Sequence, residues 1–221
     1  MKLDSTLNDR EDMRFKTLFH RQIVEIARHM PFSETEVSSI LMVYYKFAKG
    51  HGKPGRNISL EQFINMIGFF QQYYDFDQAN RIATVAANGG KAMTAMDFVN
   101  FMYIITTDDL EAKIDFAYKV YDKADKGINR FVVTSAVTKF FTVGDDDELN
   151  ELRKDMADFL ILKFDLDRDG VITFDEYKTV VMRNPALLEF LGPIFPSTGT
   201  RQLIAYCTAI TSLIPELRAQ V

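Results

Sequence analysis

The sequence predicts an all-α protein of four helix–loop–helix units in two paired lobes, with extra N- and C-terminal helices. Three observations lead there. Apolar residues recur at three- and four-residue steps along most of the chain, and no stretch alternates apolar with polar residues as a half-buried strand would. Helix–loop–helix units return at a spacing of roughly 35 to 45 residues. One loop, residues 165–176, reads Asp-Leu-Asp-Arg-Asp-Gly-Val-Ile-Thr-Phe-Asp-Glu, and its regular acidic spacing supplies the register against which the other units are aligned.

Taken in order, Phe15, Phe19, Ile23, Ile26 and Met30 line one face of a first helix that Pro31 ends. Ser33 and Glu36 form a capping box for a second helix reaching Ala48. Residues 50–57 are a Gly-rich loop, after which Ile58, Phe63, Met66 and Ile67 restart the helical period. Helices are expected at 77–87 and 95–105 around Asn88-Gly89-Gly90-Lys91, and a lobe boundary at 106–109, where Asp108 and Glu111 could cap the helix 110–121. The loop 122–127, a helix near 132–141 and the acidic residues 145–148 lead into the helices that bracket 165–176. Asn184-Pro185 reads as an N-cap and first turn for a helix over 186–191, which Pro193 and Pro196 terminate. A last helix is expected over 200–218, kinked near Pro215. The organisation is then an N-terminal helix (1–32), an N-lobe (33–107), a C-lobe (108–184) and a C-terminal helical extension (185–221).

Each position of the 165–176 loop has a physical task. Asp165, Asp167 and Asp169 present carboxylates at positions 1, 3 and 5, Val171 offers its backbone carbonyl at 7, Thr173 stands at 9, where a bridging water is common, and Glu176 closes the cage at 12 with two oxygens. Gly170 takes the sharp turn at position 6, which a Cβ would resist. Ile172 at position 8 is expected to form a short strand that pairs with a neighbouring loop. An all-oxygen cage with a bidentate glutamate selects Ca2+, with Mg2+ possible at rest.

Degenerate copies follow from aligning the position of Ile172 along the chain. Ile58 opens the exit helix of an enlarged first loop whose closing position is Gln62. Met93 places Ala86, Asn88 and Gly90 at positions 1, 3 and 5 and Asp97 at 12. The loop 122–128 keeps Asp122 and Gly127 but is one residue short before Ile128, has Ala124 and Lys126 at positions 3 and 5, and lacks a closing Glu. A lysine ammonium repels a divalent ion, so only the fourth loop is expected to bind metal.

Units of this kind resemble the calmodulin superfamily and its branch related to neuronal calcium sensors, most nearly the calaxin-like ciliary proteins associated with outer-arm dynein docking. The residues that carry the resemblance are Phe32-Ser33-Glu34-Thr35-Glu36-Val37 after the first helix and Asp109-Leu110-Glu111-Ala112-Lys113 leading through Phe116 and Val120. Leu187-Leu188-Glu189-Phe190-Leu191-Gly192-Pro193 after the fourth loop is the third such run. The resemblance implies a calcium sensor or adaptor on axonemal dynein or its docking complex, at a cilium or flagellum, with a helical protein segment as partner. It also implies calcium at more than one loop, from which the second and third loops depart.

The remaining features argue against other classes. A formal charge of −5 without a basic stripe speaks against nucleic acid. The start Met-Lys-Leu-Asp-Ser lacks a signal-peptide layout, Lys2 stands where myristoylation requires glycine, and no apolar run reaches spanning length. A single cysteine, Cys207, excludes a disulfide within the chain and favours a reducing compartment. Residues 50–56 do not satisfy a phosphate-binding loop, His20, His29 and His51 have no ligand spacing with Cys207, and no enzyme is expected. Nineteen Phe and ten Met with no Trp suit adaptable helix packing. Leu203, Cys207, Ile210, Ile214 and Leu217 make a stripe on the last helix, expected to dock into the chain's own C-terminal groove or to meet a partner. Besides the sensor, the sequence leaves open a constitutive structural subunit and a calcineurin-B-like regulatory subunit of a phosphatase or kinase.

Overall fold

The computed structural model describes residues 6–49, 57–70 and 75–210. They form two compact units, one built from the chain up to Asp108 and again from Pro196 onward, the other from Asp109–Phe195.

The first unit begins with α1 (Asp9–His29), whose capping box is Asn8 and Glu11, with Asp9, Glu11 and Asp12 complementing the positive end of the helix dipole. Phe15, Phe19 and Ile26 are buried, as the spacing predicted. Phe15 and Phe19 meet α2 (Glu34–Ala48) through edge contacts to Tyr45 and Tyr44, with ring centroids 5.7 and 6.1 Å apart. Ser33 and Glu36 cap α2 as expected. Residues 50–56 of the expected first loop lie outside the described residues. Beyond them come β1 (Ile58–Ser59), α3 (Leu60–Phe70), α4 (Phe76–Ala86), β2 (Ala92–Met93) and α5 (Ala95–Thr106). β1 and β2 pair antiparallel with Ile58 opposite Met93, the two residues the sequence alignment had placed at the same loop position. The Tyr44 hydroxyl donates to the Met93 carbonyl at 3.0 Å, tying α2 to the ladder. Phe63 and Phe101 close the core edge to face, 4.9 Å apart.

The second unit repeats the plan with α6 (Leu110–Tyr121), β3 (Ile128–Asn129), α7 (Arg130–Val137), α8 (Asp146–Phe164), β4 (Val171–Ile172) and α9 (Phe174–Arg183). β3 and β4 pair with Ile128 opposite Ile172, and the Tyr118 hydroxyl donates to the Ile172 carbonyl at 3.1 Å, as Tyr44 does to Met93. α6 is capped by Asp109, which accepts from the N–H groups of Glu111 and Ala112; the expected Asp108 cap is not used, because Asp108 pairs with Arg201.

Two expectations about the end of the chain are corrected. No α-helix forms over 186–191: only a 3₁₀ turn, Pro185–Leu187, is present, and the chain runs on irregularly to Phe195. Side chains hold that path where a helical ladder would not fit. Tyr177 and Tyr121 donate their hydroxyls to the carbonyls of Leu188 and Gly192 at 2.6 and 2.7 Å, and the Glu189 carboxylate accepts from the N–H groups of Ile194 and Phe195. Phe190 thereby enters a cluster with Phe164, Tyr177 and Tyr121, its ring 4.1 Å from that of Phe164. The C-terminal groove is thus filled by this segment.

The last helix, α10 (Thr198–Thr208), packs instead on α2 and α5 in the first unit. Its buried face is Ile204, Ala205 and Thr208, followed by Ile210, whereas Leu203 and Cys207 are exposed. Ile210 of the predicted stripe is buried, but at Leu203 and Cys207 the stripe was offset by one residue, because Ile204 and Thr208 have the same helical spacing and face α2 and α5. Ala209 ends the helix in the left-handed region, φ 54°; Ile214, Pro215 and Leu217 lie outside the described residues.

Candidate metal centre

The fourth loop joins α8 to β4 and α9. Asp165 is the C-cap of α8 and is buried, and its carboxylate organises the turn: Oδ1 accepts from the Asp169 N–H at 3.2 Å and Oδ2 from the Gly170 N–H at 2.9 Å. Asp167 accepts from the Asp169 N–H and Asp169 from the Val171 N–H. These bonds require two left-handed residues, Arg168 at φ 64° and Gly170 at φ 90°; the second has the backbone shape glycine adopts without strain. The three aspartates converge, with one carboxylate oxygen of each within 4.8 Å of the others. Such a concentration of negative oxygen repels itself in the absence of a cation, and a hard divalent ion is the chemistry it fits.

Val171 lies in β4 opposite Asn129, which places its backbone in the ladder. Thr173 is the N-cap of α9. It forms a capping box with Glu176, the hydroxyl and N–H of Thr173 reaching Oε2 at 2.7 and 2.8 Å. Glu176 is nearly buried and stands apart from the three converged aspartates, its Oε1 accepting from the N–H groups of Leu166 and Asp167 at 2.6 and 3.2 Å. The closing carboxylate is therefore lashed to the start of the loop. Burial pushes the Glu176 carboxyl up, but the donors on Thr173, Asp167 and Leu166 outweigh it and hold it below its ordinary value. Asp165, Asp167, Asp169, the Val171 carbonyl, Thr173 and Glu176 are the groups that would hold Ca2+. The ion would supply the positive charge that their oxygens lack.

The other loops show how closing positions are satisfied with no ion ligand set. In the second, Asn88 donates its amide to Asp97 at 2.8 Å, while Thr94 caps the other Asp97 oxygen through its N–H and hydroxyl at 3.1 and 2.6 Å. In the first, Gln62 and Ser59 cap each other, Ser59 N–H to Oε1 at 2.9 Å and Gln62 N–H to Oγ at 3.2 Å. In the third, Asn129 caps α7 by accepting from the Val132 N–H, so the closing position is apolar. The sequence carried a signal for these caps, Ser, Thr or Asn three residues before each closing residue. The Asn88–Asp97 bond and the two tyrosine bonds to strand carbonyls had no comparable local signal. Burial, and then the carboxylates of Asp122 and Glu176, push the Tyr118 hydroxyl up to about 12. His20 and His29 are exposed on α1, and His51 lies outside the described residues.

No family model matches the chain. Human calaxin is 20% identical over 170 residues, covering 75% of this chain and 81% of that protein. The chain is thus similar to EF-hand calcium sensors, calaxin among them. Calcineurin B from Schizosaccharomyces pombe is 30% identical over 105 residues, which span 47% of this chain and 59% of that protein. Among the described residues no helix is long and apolar enough to cross a membrane.

Proposed function

We propose that the chain is a non-enzymatic, calcium-responsive adaptor, in which Ca2+ at the fourth of four EF-hand units modulates the grip on a protein partner, an axonemal dynein or dynein-docking component at a cilium or flagellum. The observation that carries the calcium assignment is the convergence of Asp165, Asp167 and Asp169 on a loop whose backbone already holds the two left-handed turns. The similarity to calaxin supports the axonemal partner and location.

A path for modulation runs through covalent neighbours. Glu176 belongs to α9, and the next residue, Tyr177, holds Leu188 by its hydroxyl and packs on Phe190 at 5.6 Å. Whatever draws the Glu176 carboxylate away from Leu166 and Asp167 shifts the support of the segment that fills the C-terminal groove. The leverage is limited: one site at ten times its dissociation constant biases the bound state by about 1.4 kcal/mol, so modulation rather than an all-or-none switch is expected.

For the partner, the first unit carries a groove of about 690 Å³ with Leu18, Phe19, Tyr45 and Met96 in its lining and Arg14 and Glu25 on the α1 wall. The two charges are about 16 Å apart along that helix. This suits an amphipathic helix of three turns whose acidic end meets Arg14 and basic end Glu25.

The test is calorimetric titration of Ca2+, in magnesium-containing buffer, into the chain and into Glu176→Gln. One binding event that the substitution weakens about a hundredfold supports the reading, and absence of binding in the unaltered chain removes it. Capture of purified dynein-docking components with and without calcium then separates the classes. Calcium dependence supports the adaptor and indifference a constitutive brace, whose structural support is that the closing residues of the first and second loops are satisfied internally. Binding to a phosphatase or kinase catalytic chain instead would favour a calcineurin-B-like role.

A further inference from the structure

The geometry points to Asp122, a residue of a loop that binds no metal in the reading above, as a positioning residue for the calcium loop. The proposal rests on that reading for its affinity prediction but not for its structural one.

Asp122 is the C-cap of α6 and is 6% exposed, as Asp165 is at the end of α8. Its Oδ1 accepts from the N–H groups of Ala124 and Lys126 at 3.3 and 3.1 Å, and its Oδ2 from that of Gly127 at 3.0 Å. Asp165 accepts from the residues four and five positions on, Asp169 and Gly170, with the same division between its two oxygens. The backbones match as well: Asp125 and Gly127 have φ 52° and 82°, where Arg168 and Gly170 have 64° and 90°. The third loop therefore holds the frame of the fourth although Ala124, Lys126 and Val132 have replaced the ligands. One carboxylate, taking three backbone donors, does the organising.

That frame bears directly on the metal loop. Directly after Gly127, Ile128 and Asn129 pair with Ile172 and Val171. Gly127 approaches so closely that a Cβ there would lie 2.4 Å from Val171 Cγ1. At the other end of the same loop, Tyr118 of α6 holds the Ile172 carbonyl. β4 is thus bounded by elements whose order depends on Asp122 and not on an ion. The conformational entropy of fixing β4 is met before Ca2+ arrives, and removing Asp122 transfers that cost to the binding step.

The experiment uses the full chain as Asp122→Ala and Asp122→Asn, the second keeping one acceptor oxygen in case the first folds poorly. In calcium-free protein, amide exchange across β4 is expected to quicken about tenfold in Asp122→Ala and less in Asp122→Asn, from the loss of up to three hydrogen bonds, with α2 and α5 of the other unit unchanged. Calcium affinity measured by calorimetry is expected to fall by a similar factor with the stoichiometry unchanged. Faster exchange at Lys126 and Gly127 without any change at β4 overturns the proposal. So does loss of a whole binding equivalent, which would make Asp122 a ligand. If the unaltered chain takes up no calcium, the functional reading fails while exchange across β4 still decides the role of Asp122.

Discussion

The two units share a plan and differ in what satisfies their closing carboxylates. In the first unit Asp97 is satisfied from within, by hydrogen bonds from the Asn88 amide to one oxygen and from Thr94 to the other. In the second, Glu176 meets backbone donors and its own cap, and the same loop holds three converged aspartates whose mutual repulsion no cation in their cluster offsets among the described residues. Both have a tyrosine hydroxyl bonded to a strand carbonyl and an isoleucine in the antiparallel ladder. The difference teaches that the ladder and caps are common to both units, whereas the acidic cluster that fits an ion is an added layer resting on a few positions. The units also finish their cores differently, the first with whole helices α1 and α10, the second with a short irregular segment led by Phe190.

The largest effect that could break this comparison is expected from that last contrast. Phe190→Ala removes a ring from the Phe164–Tyr177–Tyr121 cluster and should destabilise the second unit by about 3–4 kcal/mol while leaving the first intact; denaturation followed by amide exchange residue by residue reads both units at once, and a uniform loss would show them to be one cooperative body. Next comes Glu176→Gln, expected to weaken calcium binding about a hundredfold, or ~2.7 kcal/mol, in calorimetry. Asn88→Ala should cost about 1 kcal/mol in the first unit by leaving an Asp97 oxygen without its donor, and should leave calcium affinity alone. The last effect is confined to alkaline pH. Burial, chiefly, pushes Tyr44 up to about 12, so the unfolded chain releases that proton near 10 while the folded chain still holds it, and stability falls as pH rises from about 10 to 12. Tyr44→Phe should flatten that part of the alkaline unfolding curve, and an unchanged curve would place the proton release elsewhere.

Much of this was legible in the sequence because it was local. The helices, the Ser33–Glu36 box, the fourth loop and the alignment of Ile58 with Met93 and of Ile128 with Ile172 all follow from spacing within a few residues. What was misread depends on contacts between distant residues. Pro185 did begin a turn, but Tyr121 and Tyr177 hold the chain beyond it in a path no helix could follow. The face of α10 was offset because Leu203 and Cys207 satisfy the helical period as well as Ile204 and Thr208 do, and only the surfaces of α2 and α5 choose between them. At the candidate metal loop, residue types announced the candidate ligands, whereas the bonds that Glu176 accepts from the Leu166 and Asp167 N–H groups require the folded turn.

The one-residue shortfall of the third loop has a consequence for descent. Because the third loop is one residue short between its glycine and its isoleucine, Gly127-Ile128 against Gly170-Val171-Ile172, substitutions alone do not rebuild a twelve-residue cage there. An insertion is needed first, and it would be a burden until several acidic replacements followed. A chain that keeps this spacing therefore regains a third site only after that insertion, and on the function proposed above its calcium response rests on the fourth loop.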